Sequence, residues 1–159
     1  EGITPHPEVM VPLVGSVAEF IHQRKIIDSM AKQVQDEKKV KIDYLVGTMI
    51  ELPRACMTAD KIANSADFFS FGTNDLTQTT YGFSRDDVNG FLPLYIENSI
   101  ISEDPFQTLD RSGVGELIII AIKKARAIKP NIKIGVSYRL PFRKIVRFQI
   151  IKMVIFFMD

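Results

Sequence analysis

Two acidic residues that follow short apolar runs offer the clearest chemistry in this sequence. Glu51 comes directly after the run at residues 41–50, and Asp75 comes shortly after the run at residues 68–71. Apolar runs of this kind predict buried parallel strands, and parallel strands of an α/β fold end at the same edge. We therefore predict that the two carboxylates converge on a divalent metal. On these residues alone, Glu51 could equally be a solvated rim residue.

The alternation of apolar runs with amphipathic stretches predicts an α/β domain of the βαβα kind. Ser16 and Glu19 have the spacing of a capping box, so a helix should begin at Ser16 and pack one face against the sheet. The hydroxyl of Thr58 could cap a second helix. The predicted strands span residues 9–14, 40–50, 68–71 and 131–136, and the other helices span about 58–66 and 114–127.

Composition limits the class of protein. The chain has 159 residues, of which 46% are hydrophobic and 25% charged, as expected for one soluble domain with a core. A net charge of +1 gives no basic surface for nucleic acid or an anionic membrane. The single Cys56 forms no intrachain disulfide, and no apolar leader precedes Glu1, so we predict a cytoplasmic location.

Two segments depart from this regular pattern. Residues 82–93 are polar and aromatic, and a connection of this length often marks a functional insert. Residues 144–159 are rich in Ile, Phe and Met, but their longest apolar run is far shorter than the roughly 20 residues that a membrane helix needs. We predict a divergent tail that covers core, with a poorly specified, sticky tail as the alternative.

Three motifs stand out along the chain: VGTMIELPRA at residues 46–55, FFSFGTNDLTQ at 68–78 and YGFSRDDVNGFLPLY at 81–95. They resemble pyruvate, phosphate dikinase, of the family of phosphoenolpyruvate (PEP)-utilising enzymes. The resemblance extends from Met10 to Gly135, and related PEP synthases and phosphotransferase-system enzyme I share part of it.

The resemblance implies a fold and a set of site residues. The corresponding part of the family is the C-terminal PEP/pyruvate-binding domain, a (β/α)8 TIM barrel, of which residues 1–143 would supply about strands four to seven. A whole barrel takes about 250 residues, so this would be an incomplete one. In the family, positions matching Glu51 and Asp75 hold Mg2+, and those matching Gly72, Thr73, Asn74 and Asp75 surround the substrate. Mg2+ suits such a site because it prefers hard oxygen ligands.

One departure from the family removes its catalytic acid. The family follows its seventh strand with CGEHGGDP, in which the cysteine protonates the enolate. Here either Ser137 stands at the cysteine position, where a hydroxyl is a far weaker proton donor, or the whole segment is deleted. The resemblance also covers neither the ATP-grasp domain nor the phosphohistidine domain.

Two functional hypotheses follow. The first is an enzyme segment that binds PEP or pyruvate and works beside a companion polypeptide. The second is a catalytically dead remnant or interaction module, whose open strand edges favour homodimerisation. Under both, we expect the isolated chain to be inactive as a phosphotransferase.

Overall fold

Four parallel strands form a sheet in which neighbours in sequence are neighbours in space. The computed structural model describes residues 5–137, and the sheet order is β1-β2-β3-β4. All three strand pairs are parallel, as the βαβα pattern predicted. The strands are β1 (Glu8–Val11), β2 (Leu45–Ile50), β3 (Phe68–Gly72) and β4 (Lys133–Ser137).

Six α-helices connect these strands within the described part of the chain. They are α1 (Val17–Lys38), α2 (Pro53–Met57), α3 (Ala59–Ala63), α4 (Thr73–Tyr81), α5 (Leu92–Glu97) and α6 (Glu116–Ile128). Helix α6 packs against α2 and α3, and α3 also contacts α1, so these helices form one layer beside the sheet. A single π-helical turn, Arg111–Gly115, precedes α6. No helix among residues 5–137 is long and apolar enough to cross a membrane.

The core lies between the sheet and this helical layer. Strand residues two apart share a face, and Val46 and Ile50 on β2 are fully buried together with Phe69 and Phe71 on β3. From the helical side, α1 contributes Phe20 to the same core. The domain therefore buries one continuous apolar layer. This packing holds the strands in place, and with them the residues at the strand ends.

The predicted capping box of α1 is confirmed. The Ser16 hydroxyl accepts a hydrogen bond from the Glu19 backbone N–H at 3.2 Å, and the Glu19 carboxylate accepts one from the Gly15 N–H at 2.8 Å. The prediction that one face of α1 packs against the sheet is only partly correct, because Phe20 is buried whereas the apolar residues Ile21 and Val34 are exposed. Only the first part of this long helix contributes fully to the core.

Several other predicted boundaries were wrong, and prolines account for two of the observed ones. Strand β2 begins at Leu45 rather than at residue 40. Helix α2 begins at Pro53, since a proline in the first turn loses no needed N–H donor. The Thr58 hydroxyl does not cap α3; it donates to the Arg54 carbonyl at 2.9 Å. Strand β1 stops at Val11, and the proline that follows cannot donate to a sheet ladder.

The predicted insert has an aromatic cluster of its own. The rings of Phe83 and Phe91 meet edge to face with centroids 5.0 Å apart, and Tyr81 and Tyr95 extend the cluster. The Arg85 guanidinium lies 5.8 Å from the centroid of the Phe106 ring, a cation–π distance. The segment is therefore organised by ring contacts. The predicted tail at residues 144–159 lies outside the described residues.

Candidate metal and substrate site

Glu51 is a buried carboxylate at the carboxyl end of β2. Its side chain is 2% exposed, and its Oε1 atom accepts a hydrogen bond from the Leu13 backbone N–H at 2.7 Å. Burial raises the pKa of Glu51, and the neighbouring Asp75 carboxyl raises it further, while the Leu13 N–H opposes the shift. A free carboxylate is costly here, so this position favours either a proton or a cation.

Asp75 is the second acid of the site, and it lies in the first turn of α4. Its carboxyl group lies close enough to that of Glu51 to raise the pKa of Glu51, so the structure brings together the two acids that the sequence predicted would converge. Residues 73–75 are helical rather than an open loop, because α4 begins at Thr73 directly after β3. One turn later, the Thr79 hydroxyl donates to the Asp75 carbonyl at 2.7 Å.

Gly72 allows β3 to approach the Glu51 side chain closely. A Cβ atom at position 72 would lie 2.4 Å from Glu51 Oε2 and 2.7 Å from Met49 Sδ. Both distances are far below van der Waals contact, so only glycine fits without moving its neighbours. The backbone of Gly72 therefore packs directly against one side of the Glu51 carboxylate.

Thr73, Asn74 and Ser137 lie at the same edge of the sheet. Thr73 is buried, and its hydroxyl oxygen is 3.5 Å from the Ser137 carbonyl oxygen at the end of β4. Asn74 is half-buried in the first turn of α4, and no side chain caps the start of this helix. Uncapped N–H groups at a helix start favour an anion. The predicted roles of these residues in substrate binding stay predictions.

Among the described residues, the carboxylates that meet at this edge are those of Glu51 and Asp75. Within residues 5–137, neither Glu51 nor Asp75 forms an ion pair with a lysine or arginine. No group of three or more His, Cys, Asp or Glu residues in this part could hold a metal. Mg2+ commonly takes only one or two protein carboxylates, so a buried and a half-buried carboxylate that form no ion pair within residues 5–137 fit such an ion.

Leu13 contacts the site, whereas Cys56 and Arg85 have other roles. Local sequence did not predict the contact of Leu13 with Glu51, and the one available signal was the proline that precedes Leu13 directly after a strand. Cys56 is fully buried, and desolvation raises its pKa to about 12, as expected for a small apolar residue rather than a catalytic acid. Arg85 is exposed and stacks over Phe106.

An open cavity of about 420 Å3 lies elsewhere, between α1 and the segment that precedes β3. Arg24 lines this cavity. Its guanidinium donates to the Ser65 carbonyl and, at 2.9 Å, to Asp67 Oδ2. The same Asp67 oxygen accepts the Val46 N–H at 2.9 Å. These bonds tie α1 to the amino ends of the strands, which is a structural role, and the cavity includes neither Glu51 nor Asp75.

Comparison with known proteins identifies the class. A family model described as PEP-utilising enzyme, PEP-binding domain, matches residues 2–138, and the chain belongs to this family. Within it, the chain is 54% identical over 136 residues to "Pyruvate, phosphate dikinase 1, chloroplastic" of Arabidopsis thaliana. It is 58% identical over 130 residues to "Pyruvate, phosphate dikinase" of Rhizobium meliloti (strain 1021). The predicted resemblance to the dikinases is confirmed.

The match covers most of this chain but little of each relative. It takes in 86% of this chain and 14% of the Arabidopsis protein, and 82% and 14% in the Rhizobium comparison. The chain thus spans about one seventh of the length of these dikinases.

Proposed function

We propose that this chain forms part of the PEP/pyruvate-binding domain of a pyruvate, phosphate dikinase, and that Glu51 and Asp75 hold Mg2+ there. The observation that carries the proposal is the buried Glu51 carboxyl against Asp75 at the carboxyl ends of parallel strands. The identity of 50–58% to dikinases supports this branch of the family over the synthase and enzyme I alternatives.

The residues of this edge suit a small anionic substrate. Uncapped N–H groups in the first turn of α4 would attract a carboxylate or phosphate, and Gly72 lets the chain approach closely. Mg2+ bound by Glu51 and Asp75 would supply positive charge to the enolate oxygen of pyruvate. Within the dikinase reaction, this part would serve the phosphoryl transfer between phosphohistidine and pyruvate.

An incomplete (β/α)8 barrel is the architecture that we propose for residues 1–143. The strands are all parallel and follow sequence order, as in such barrels. An ion pair joins Glu8 on β1 to Lys133 on β4, although three strand spacings of roughly 4.8 Å separate these outer strands. A contact over that span supports a sheet curved toward the face that carries both residues.

For the proton donor of the reaction, we propose no residue among the described positions 5–137. Ser137 ends β4 close to Thr73, and a serine hydroxyl there would protonate an enolate far more slowly than a tuned thiol. We propose that the residues of this chain do not turn over by themselves and that activity needs the remaining dikinase parts, for example from a companion polypeptide. A cytoplasmic location stays a prediction, and several relatives carry "chloroplastic" in their names.

A second proposal, an interaction module, rests on the exposed apolar side chains at one edge of the sheet. Val9 and Met10 on β1 are 37% and 40% exposed, and Leu45 on β2 is 38% exposed. Among the described residues, β1 pairs only with β2, which leaves its outer edge open to another strand. A second copy or a companion dikinase segment would bury these residues.

Thermal melting with Mg2+ and oxalate, an enolate mimic, tests the first proposal. A ligand at 100 times its dissociation constant stabilises the native state by about 2.7 kcal/mol, which raises the Tm of a chain this size by roughly 5–10 °C. The Asp75→Asn variant should lose this response, and the control Asp86→Asn, in an exposed loop, should keep it. Equal Tm values with and without both ligands would refute the metal site.

A mixing experiment separates the two proposals. The chain is combined with a polypeptide that carries the remaining parts of the dikinase, and pyruvate-dependent formation of PEP is measured. Restored turnover supports the enzyme segment. Soluble association without turnover supports the interaction module instead.

A further inference from the structure

The backbone of Leu13 adopts a conformation that a leucine normally avoids. Its φ angle is +52°, in the left-handed region that disfavours residues with a Cβ atom. The Leu13 side chain is 57% exposed, so core burial does not compensate for this conformation. Such outliers often mark residues that are held for a functional reason.

Two other non-glycine residues of the described part share this conformation and show what is special about Leu13. Lys39 (φ +54°) directly follows α1, and its N–H donates to carbonyls of that helix, which is an ordinary helix end. Ser99 (φ +56°) donates its N–H to the Ile96 carbonyl three residues earlier. The Leu13 N–H instead reaches Glu51, which is 38 residues away.

The contact engages one oxygen of the Glu51 carboxylate, and Gly72 lies beside the other. Leu13 N–H donates to Oε1 at 2.7 Å, while the position of Gly72 limits the space beside Oε2. A hydrogen bond between an N–H group and a carboxylate is stronger than one between neutral partners. The carboxylate is thereby fixed by two segments that follow β1 and end β3.

We infer that Leu13 is a positioning residue, whose left-handed backbone aims its N–H at Glu51 and orients that carboxylate toward a divalent cation. This inference rests on the proposed function, since it assigns Leu13 to the same site. Leu13 acts through Glu51 and needs no contact with the cation or the substrate. Groups that orient metal ligands typically affect metal affinity by about 10–100-fold.

Paired substitutions at Leu13 and Lys39 test the inference, with Mn2+ affinity measured by electron paramagnetic resonance. Isoleucine disfavours the left-handed region at both positions, but only position 13 contacts the site. We expect Leu13→Ile to weaken Mn2+ binding about tenfold and Lys39→Ile to leave it unchanged. Leu13→Gly, which keeps the N–H and accepts this φ, should retain the affinity. Equal effects of the two isoleucine variants would overturn the inference.

Amide hydrogen exchange tests the same contact without any cation. In Glu51→Ala, the Leu13 amide should exchange at least tenfold faster while amides of the core strands keep their rates. Glu51→Gln, whose side-chain oxygen can still accept, should retain most of the protection. Unchanged exchange at Leu13 in Glu51→Ala would refute its positioning role. If the unsubstituted chain binds no Mn2+, the proposed function fails, and the exchange rates still decide whether Leu13 holds Glu51.

Discussion

Replacing Gly72 with alanine is the most direct test of how this site is built. The backbone angles at Gly72 are φ −90° and ψ 87°, so an alanine meets no left-handed strain there. The added Cβ would lie 2.4 Å from Glu51 Oε2 and 2.9 Å from Glu51 Cβ. The substitution is therefore a purely steric perturbation, aimed at one buried carboxylate.

The expected magnitude follows from overpacking. Glu51 cannot easily move away, because it is buried and its Oε1 is hydrogen-bonded to Leu13. Forcing an extra methyl group into such a place typically costs about 1–3 kcal/mol. For a chain of this size, that lowers Tm by roughly 2–12 °C.

The assay is thermal melting of the chain with and without Mg2+ and oxalate, beside the matched control Gly90→Ala. A Cβ atom at Gly90 would meet nothing within 4 Å, so this control should melt close to the unsubstituted chain. Gly72→Ala should melt lower and lose most of its response to Mg2+. If it melts like Gly90→Ala and keeps that response, the packing of Gly72 against Glu51 is refuted.

Three other predictions concern ionisable groups. Because burial and a neighbouring acid raise the folded-state pKa of Glu51, its contribution to stability is fully present at low pH and lost as pH rises through that pKa. Metal-free Glu51→Gln should therefore melt above the unsubstituted chain at pH 7, and a gap that persists undiminished on acidification would contradict this. Although burial opposes it, hydrogen bonds from the following turn lower the pKa of Asp110, so its stabilisation is present at neutral pH and lost on acidification. Asp110→Ala, which removes the cap, should cost about 1–2 kcal/mol at pH 7 in urea unfolding, whereas Asp86→Ala, in an exposed loop, should cost almost nothing. The Cys56 thiol, buried with a pKa of about 12, should react with iodoacetamide at pH 8 only as fast as the chain opens, and rapid labelling without unfolding would refute its burial.

Local patterns in the sequence were sufficient for the α/β class and much of the element order. Apolar runs marked all four strands, and the Ser16 and Glu19 spacing marked the start of α1, because these signals depend on residues close together in the chain. The pairing of Glu51 with Asp75 was also predictable, since parallel strands end at one edge. The ends of the strands and helices were predicted less accurately, since β2 begins at Leu45 and not at residue 40.

The tertiary structure decided the features that depend on distances between separate segments. No local pattern shows that a Cβ at Gly72 would strike the Glu51 side chain, because the two lie on neighbouring elements. The Leu13 N–H reaches Glu51 only because β1 pairs with β2 in the register that sets Val11 beside Thr48. The sequence by itself determined which acids meet at the edge of the sheet, and packing between strands determined how the Glu51 carboxylate is held there.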